Sequence, residues 1–305
     1  MKKAIAIRDL SFRYPDGTLA LETVSLEVFA GESVAIIGPN GSGKTTLLLH
    51  LNGILKGQEG SVEVFGTNTN DGDIRELRRR VGIVFQDPDD QLFMPSVFDD
   101  VAFGPINMGL AEELVRKRVK IALEMVGLSG CEDRCSHHLS FGERKRVSFA
   151  AILSMEPEML VLDEPTANLD PRSRDELINI VRRLNEEGKT IIIATHDVNA
   201  VAEVANRVYV LNRSIVARGT TREIFSNQKL LRENNLGVPE VAHLFEVLQC
   251  FGYNYEDLPL SIDEAVEHLT KTIEQGGKHI HLHIHEHTHE ELARLSESKY
   301  NHHLK

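Results

Sequence analysis

The chain has 305 residues, 41% of them hydrophobic, and a formal net charge of -12. That length exceeds one typical domain and predicts a large core with a smaller appendage. The acidic balance excludes sequence-independent binding to nucleic acid or to an anionic membrane surface, both of which need a basic footprint; only a local patch such as Arg78, Arg79 and Arg80 departs from it.

The opening "MKKAIAIRDLSF" alternates polar and apolar residues, which predicts a strand, and it lacks the long apolar run of a signal peptide. Further β-branched runs follow at "SVAIIG" (33–38), "GSVEVFG" (60–66), "VGIVFQ" (81–86), "MLVLDE" (159–164), "TIIIAT" (190–195) and "RVYVLN" (207–212). Amphipathic patterns at 45–55, 111–127 and 171–188 predict helices between them. Strands alternating with helices predict an α/β fold with a mainly parallel sheet covered on both faces. From about residue 95 to 155 the pattern is helical without a strand, which predicts an inserted helical subdomain. The composition then shifts after residue 220. The expected plan is a large α/β domain over 1–220, a small C-terminal α/β domain over 221–278 and a His-rich tail over 279–305. No run approaches the ~18 apolar residues of a membrane span, so any membrane role is expected to come through a partner. Three cysteines, Cys131, Cys135 and Cys250, are few and odd in number, and predict a reduced intracellular protein.

"GPNGSGKTT" (38–46) follows one predicted strand and opens one predicted helix, the context that the phosphate-binding loop pattern requires. Gly38, Gly41 and Gly43 let the backbone curl so that successive N–H groups face phosphate oxygens, with the helix N-terminus behind them. Asn40, Ser42 and Thr46 belong to the same cradle. Lys44 is placed to bridge the outer phosphates and the Thr45 hydroxyl to bind Mg²⁺. The run 159–164 ends in two adjacent carboxylates, Asp163 and Glu164, an expensive pair at a strand end unless a cation sits there. The strand of Asp163 is expected beside that of the phosphate loop, so that its carboxylate holds nucleotide-borne Mg²⁺, while Glu164 acts as general base on the attacking water. The chain lacks an N-K-x-D guanine-reading motif, which favours ATP.

With "LSFGE" (139–143) just before the acidic strand, the chain resembles the ATP-binding-cassette (ABC) ATPases. The resemblance implies that Ser140 and the Gly142 N–H form a second phosphate-binding helix N-terminus, serving ATP held by another copy. Two chains would then sandwich two nucleotides, as a homodimer or with a paralogue. Phe141 and Glu143 stand where Gly and Gln are usual in that family. The same resemblance implies that Tyr14 stacks on adenine and that Gln86 contacts Mg²⁺ and water. It also places Asp170 across the dimer and His196 at the γ-phosphate.

The run "VFQDPDDQLFMPSVFDDVAFGPINMGL" (84–110) is narrower. It looks like the energy-coupling-factor and cobalt/nickel uptake ATPases, which implies that Leu92, Phe93, Met94, Val97 and Phe98 form a groove for a helix of an integral membrane subunit. The resemblance also implies a dimer-contacting C-terminal domain and a location at the cytoplasmic face of the membrane. His279, His281, His283, His285, His287 and His289 alternate with other residues, so an extended strand would project all of them from one face at ~6–7 Å spacing, suited to Ni²⁺ or Co²⁺. "CEDRCSHH" (131–138) lacks the second half of a zinc pattern and is not read as a metal site. The leading expectation is an ATP-hydrolysing subunit that energises cobalt or nickel import. Vitamin import by the same machine, and a soluble His-rich metallochaperone NTPase, are the alternatives.

Overall fold

The computed structural model describes residues 2–251, 253 and 257–275; the His279–His289 tract lies outside them. The chain divides into two compact units at Thr220. The first runs β1 (Lys3–Arg13), β2 (Leu19–Phe29), β3 (Ser33–Ile37), α1 (Lys44–Leu51), β4 (Glu59–Val64), β5 (Thr67–Asn68), α2 (Ile74–Arg80) and β6 (Val81–Val84). It continues through α3 (Val97–Asn107), α4 (Glu112–Met125), α5 (Phe141–Leu153), β7 (Met159–Asp163), α6 (Pro171–Glu186), β8 (Thr190–Thr195), α7 (Val198–Val204), β9 (Arg207–Asn212) and β10 (Ser214–Thr220).

The strands form two sheets: an antiparallel one in the order β2-β1-β4-β5, and a six-stranded one in the order β10-β9-β3-β8-β7-β6. In the larger sheet β9, β3, β8, β7 and β6 run parallel and β10 returns antiparallel at the edge. Every residue of β3, β7 and β8 is buried, as expected of parallel strands covered on both faces. The pleat divides them between two cores: Leu160, Leu162, Ile191 and Ile193 face the helical side with α4, α5 and α6, whereas Met159, Val161, Ile192 and Ala194 face α1 and the antiparallel sheet.

One expectation is corrected. The strand of Asp163 does not lie beside β3, because β8 intervenes: Ile37 pairs with Thr195, and Asp163 with Ala194. All three strands still end together, so side chains leaving β3, β8 and β7 meet at one rim, where parallel sheets place their ligands.

The second unit comprises α8 (Thr221–Ser226), α9 (Gln228–Glu233), α10 (Glu240–Cys250) and α11 (Ile262–Gln275). Its described residues form helices and no strand, where an α/β unit was expected: in α10 Ala242 and Phe245, three residues apart on one helix face, are fully buried, as is Leu231 of α9. Phe245 meets Tyr253 edge to face at 5.7 Å. Among the described residues no helix is long and apolar enough to cross a membrane.

Candidate nucleotide-binding and hydrolysis site

The loop between β3 and α1 builds one wall. Gly43 has φ 98°, and a Cβ there would lie 2.4 Å from the Ala20 carbonyl, so no other residue fits this turn. At Gly38 a Cβ would lie 2.1 Å from the Leu211 carbonyl. Lys44, buried at the start of α1, donates from Nζ to the carbonyls of Gly38 (2.8 Å) and Pro39 (3.2 Å), and lies 3.8 Å from Glu164 Oε1. Burial pulls its ammonium below the usual lysine range, and the Glu164 and Asp163 charges oppose that pull.

The other wall comes from β7 and β8. Thr45 Oγ1 donates to Asp163 Oδ2 at 2.7 Å, spanning the position of β8. Asp163 Oδ1 is buried and has no hydrogen-bond partner. Burial raises the Asp163 carboxyl, the Thr45 hydroxyl lowers it, and the adjacent Glu164 raises it again. An orphaned carboxylate oxygen beside a threonine hydroxyl fits a hard, oxygen-seeking divalent cation.

Glu164 has φ 42°, a left-handed conformation that turns its side chain away from the strand direction. Its Oε2 accepts from Thr195 Oγ1 at 2.8 Å, and its Oε1 lies 2.9 Å from His196 Nδ1. Glu164 is 6% exposed and lines the cavity of the site, held by Thr195 at the end of β8 and by His196 just beyond it.

A cavity of about 370 Å³ gathers Tyr14, Asn40, Gly41, Ser42, Gly43, Lys44, Thr45, Thr46, Gln86, Asp163 and Glu164. Tyr14 is fixed by its hydroxyl, 3.0 Å from Thr46 Oγ1, and by edge-to-face packing on Phe12. Sequence reasoning missed Thr18, Leu19, Ala20 and Arg213, which also line it. Arg213 sits in the β9–β10 hairpin with φ 61° and donates its N–H to the Ser42 carbonyl, a tertiary contact without a motif.

Ser140, Gly142 and Asp170 do not line this cavity. Ser140 caps α5 in a closed box: its hydroxyl accepts from Glu143 N (3.3 Å), and Glu143 Oε2 accepts from Ser140 N (2.8 Å). These bonds from Ser140 hold the Glu143 carboxyl below the usual range, with Arg134 3.4 Å away adding to it. Asp170 caps α6, accepting from Ser173 N and from Ser173 Oγ (2.6 Å). Gly142 touches this cap: a Cβ on it would stand 2.8 Å from Ser173 Oγ.

The apolar cluster after Gln86 is split. Leu92 and Val97 are buried in the helical-side core with Phe98 packed against it, while Phe93 is 61% exposed. Phe93 stacks edge to face on Phe103 at 5.1 Å, and Ile106 is exposed on the same helix as Phe103. Sequence gave no sign of the anchor beneath: buried Asp100 accepts from Phe93 N and Met94 N, both at 2.9 Å, and from Ser136 Oγ at 2.6 Å. Among the described residues no cluster of three or more His, Cys, Asp or Glu could hold a metal ion, Cys131 and Cys135 included.

Residues 21–167 match the ABC transporter family. The energy-coupling factor transporter ATP-binding protein EcfA of Methanothermobacter thermautotrophicus is 49% identical over 268 residues, covering 87% of this chain and 86% of that one. EcfA of Methanococcus maripaludis is 50% identical over 244 residues, covering 79% and 88%. Among solved structures, cbiO1 of Clostridium perfringens, part of the cbiONQ transporter complex, matches with TM-score 0.69 and 41% identity over 81% of this chain and all of that one. An ATP-binding cassette solved as a dimer in a post-hydrolysis state with ADP and Pi matches with TM-score 0.65 and 29% identity over 72% of this chain and 99% of that one. On this similarity and the cavity's architecture, the chain belongs to the ATP-binding subunits of energy-coupling-factor ABC transporters and is an ATPase.

Proposed function

We propose that this ATPase works as a dimer that clasps ATP between the glycine cradle of one copy and the Ser140 turn of its mate, and that hydrolysis energises import of a transition-metal ion, cobalt or nickel, through integral membrane subunits. The observation that carries the ATPase chemistry is the convergence of Lys44, Thr45, Asp163 and Glu164 on one cavity with Asp163 Oδ1 left unpartnered. Thr45, Asp163 and Gln86 would hold Mg²⁺, which neutralises phosphate charge when bound. Lys44 leaves its two loop carbonyls for phosphate oxygens, and the backbone of 40–46 orients the chain of phosphates. Glu164 takes the proton of the attacking water, with its carboxylate aimed by Thr195 and by His196, and contact of His196 with the γ-phosphate belongs to the same reading. Tyr14, anchored by Thr46, offers its ring to adenine. Asp170 and the Ser140 turn serve the neighbouring copy.

The exposed Phe93, Phe103 and Ile106 support a face that receives a helix of the membrane partner, and a location at the cytoplasmic face of the membrane belongs to the same reading. Exposed Leu244, Ile262 and Val266 support copy-to-copy contact through the second unit. The metal reading rests on the six alternating histidines from His279 to His289, outside the described residues, as a store for Ni²⁺ or Co²⁺. Vitamin import is the second reading, favoured by relatives named for the energy-coupling factor. Uptake of ⁶³Ni or ⁵⁷Co against labelled vitamins, in cells carrying the protein with its membrane partners, separates the two. Vitamin uptake alone refutes the metal assignment. Calorimetric titration of the full chain and of a chain lacking 279–305 with Ni²⁺ tests the store, and loss of basal ATPase on that deletion refutes its accessory role.

A further inference from the structure

Lys145 lies in α5, five residues beyond the Ser140 turn, and is completely buried. Its ammonium donates to the carbonyls of Phe85 (2.8 Å) and Gln86 (2.7 Å). The carboxylates that face it, Asp163, Asp87 and Glu164, favour its charge through space alone. A buried ammonium satisfied by two neutral carbonyls is costly, and an apolar side chain would fill the same space without that cost. The ammonium's distinctive work is therefore its grip on the main chain at 85 and 86.

The grip does not stand alone. Gln91 Nε2 donates to the Ser148 carbonyl at 2.8 Å, and Arg144 Nε pairs with Asp89 Oδ1 at 3.1 Å. The segment 85–91, which carries Gln86 into the cavity and leads to the exposed Phe93, is thus strapped to α5 at three places, of which only the lysine is fully buried. On its own, β6 ends at Val84 and leaves Gln86 without strand pairing to hold it.

We propose that Lys145 is a positioning residue for hydrolysis: by holding the main-chain oxygens of Phe85 and Gln86 it makes the cavity-lining Gln86 and the Ser140 turn move as one piece. The proposal rests on the reading of Gln86 and Glu164 given above. It separates two jobs: the phosphate loop binds ATP without Lys145, whereas the step that needs Gln86 in place does not proceed without it.

The test is a double-mutant cycle on the purified full-length ATPase. Lys145→Met is expected to leave KM for ATP within about threefold and to lower kcat about 10- to 100-fold, the pattern of an interaction needed only for the chemical step. Because Lys145 acts through Gln86, Lys145→Met combined with Gln86→Ala should be no slower than the worse single variant, within about twofold. Losses that multiply, or a wild-type kcat in Lys145→Met, overturn the proposal; so does a rise in KM with unchanged kcat. If Lys145→Met does not fold, Lys145→Gln is read in the same cycle, and failure of both to fold overturns it in favour of a purely structural lysine. Glu164→Gln runs in parallel. Near-normal turnover there defeats the reading of the site itself, whereas a dead Glu164→Gln beside an unaffected Lys145→Met defeats only the role of the lysine.

Discussion

Replacing Asp100 by alanine should be among the most destabilising changes outside the apolar core. Asp100 is 4% exposed, and its two oxygens accept three hydrogen bonds, from Phe93 N, Met94 N and Ser136 Oγ. Ser136 is 1% exposed, so its hydroxyl left unpaired costs about 2 kcal/mol. The two amides adjoin the exposed Phe93 and can reach water, so about 1 kcal/mol each suffices, for a loss of about 4 kcal/mol in all. That is a large share of the roughly 5–15 kcal/mol available to a domain. Asp100→Asn keeps an oxygen for the two amides and presents an NH₂ group to Ser136, whose hydroxyl can rotate to accept, so it should lose only about 1 kcal/mol. Urea unfolding of the full chain followed by tryptophan-independent circular dichroism measures both; the chain has no tryptophan. A loss under about 1 kcal/mol for Asp100→Ala, or equal losses for the two variants, would mean that the loop at 93–94 is held by something else.

Glu164→Gln should bind ATP normally and lose about 10²- to 10⁴-fold in turnover, accumulating a nucleotide-bound dimer visible by size-exclusion chromatography; near-normal hydrolysis refutes the base assignment. Gly142→Ala must displace Ser173 Oγ, 2.8 Å from the new Cβ, and break its bond to Asp170, so stability should fall by about 1 kcal/mol, and the loss should not add to that of Ser173→Ala, which removes the same bond. Burial pulls Lys145 down to about 8, so between about pH 8 and the ordinary lysine range the unfolded chain holds the extra proton and stability from this group rises with pH. Relative to Lys145→Met, the wild type should therefore gain about 2 kcal/mol between pH 7 and pH 9.5 in denaturant titrations, and a flat or falling difference would refute the burial assigned to the charge.

The phosphate loop was legible because its chemistry depends on main-chain curvature, which glycine spacing at 38, 41 and 43 reveals directly. Asp163 and Glu164 were legible because a strand's end is visible where an apolar run stops. What lay between them was not: β8 enters the sheet between β3 and β7, and pairing order depends on packing of the whole chain. Asp99 and Asp100 look alike in sequence, yet Asp99 answers the Ser96 cap while Asp100 turns inward, because helical rotation alone separates their faces. Lys145, flanked by Arg144 and Arg146, reads as part of a solvated basic face; its burial follows from the approach of the 85–91 segment, which local pattern does not carry. The antiparallel sheet was under-read because β2 is interrupted at Thr23, whose φ of 49° breaks the alternation.

The box closed by Ser140 and Glu143 implies something about kinetics. If that turn receives an anion from a second copy, as proposed, it has surrendered its conformational freedom in advance and need not be organised on arrival, although the Glu143 carboxylate that closes the box opposes the incoming charge. Docking at that end of α5 would then behave as a simple second-order encounter, its speed set by subunit concentration and ionic strength and not by a slow refolding of the receiving surface.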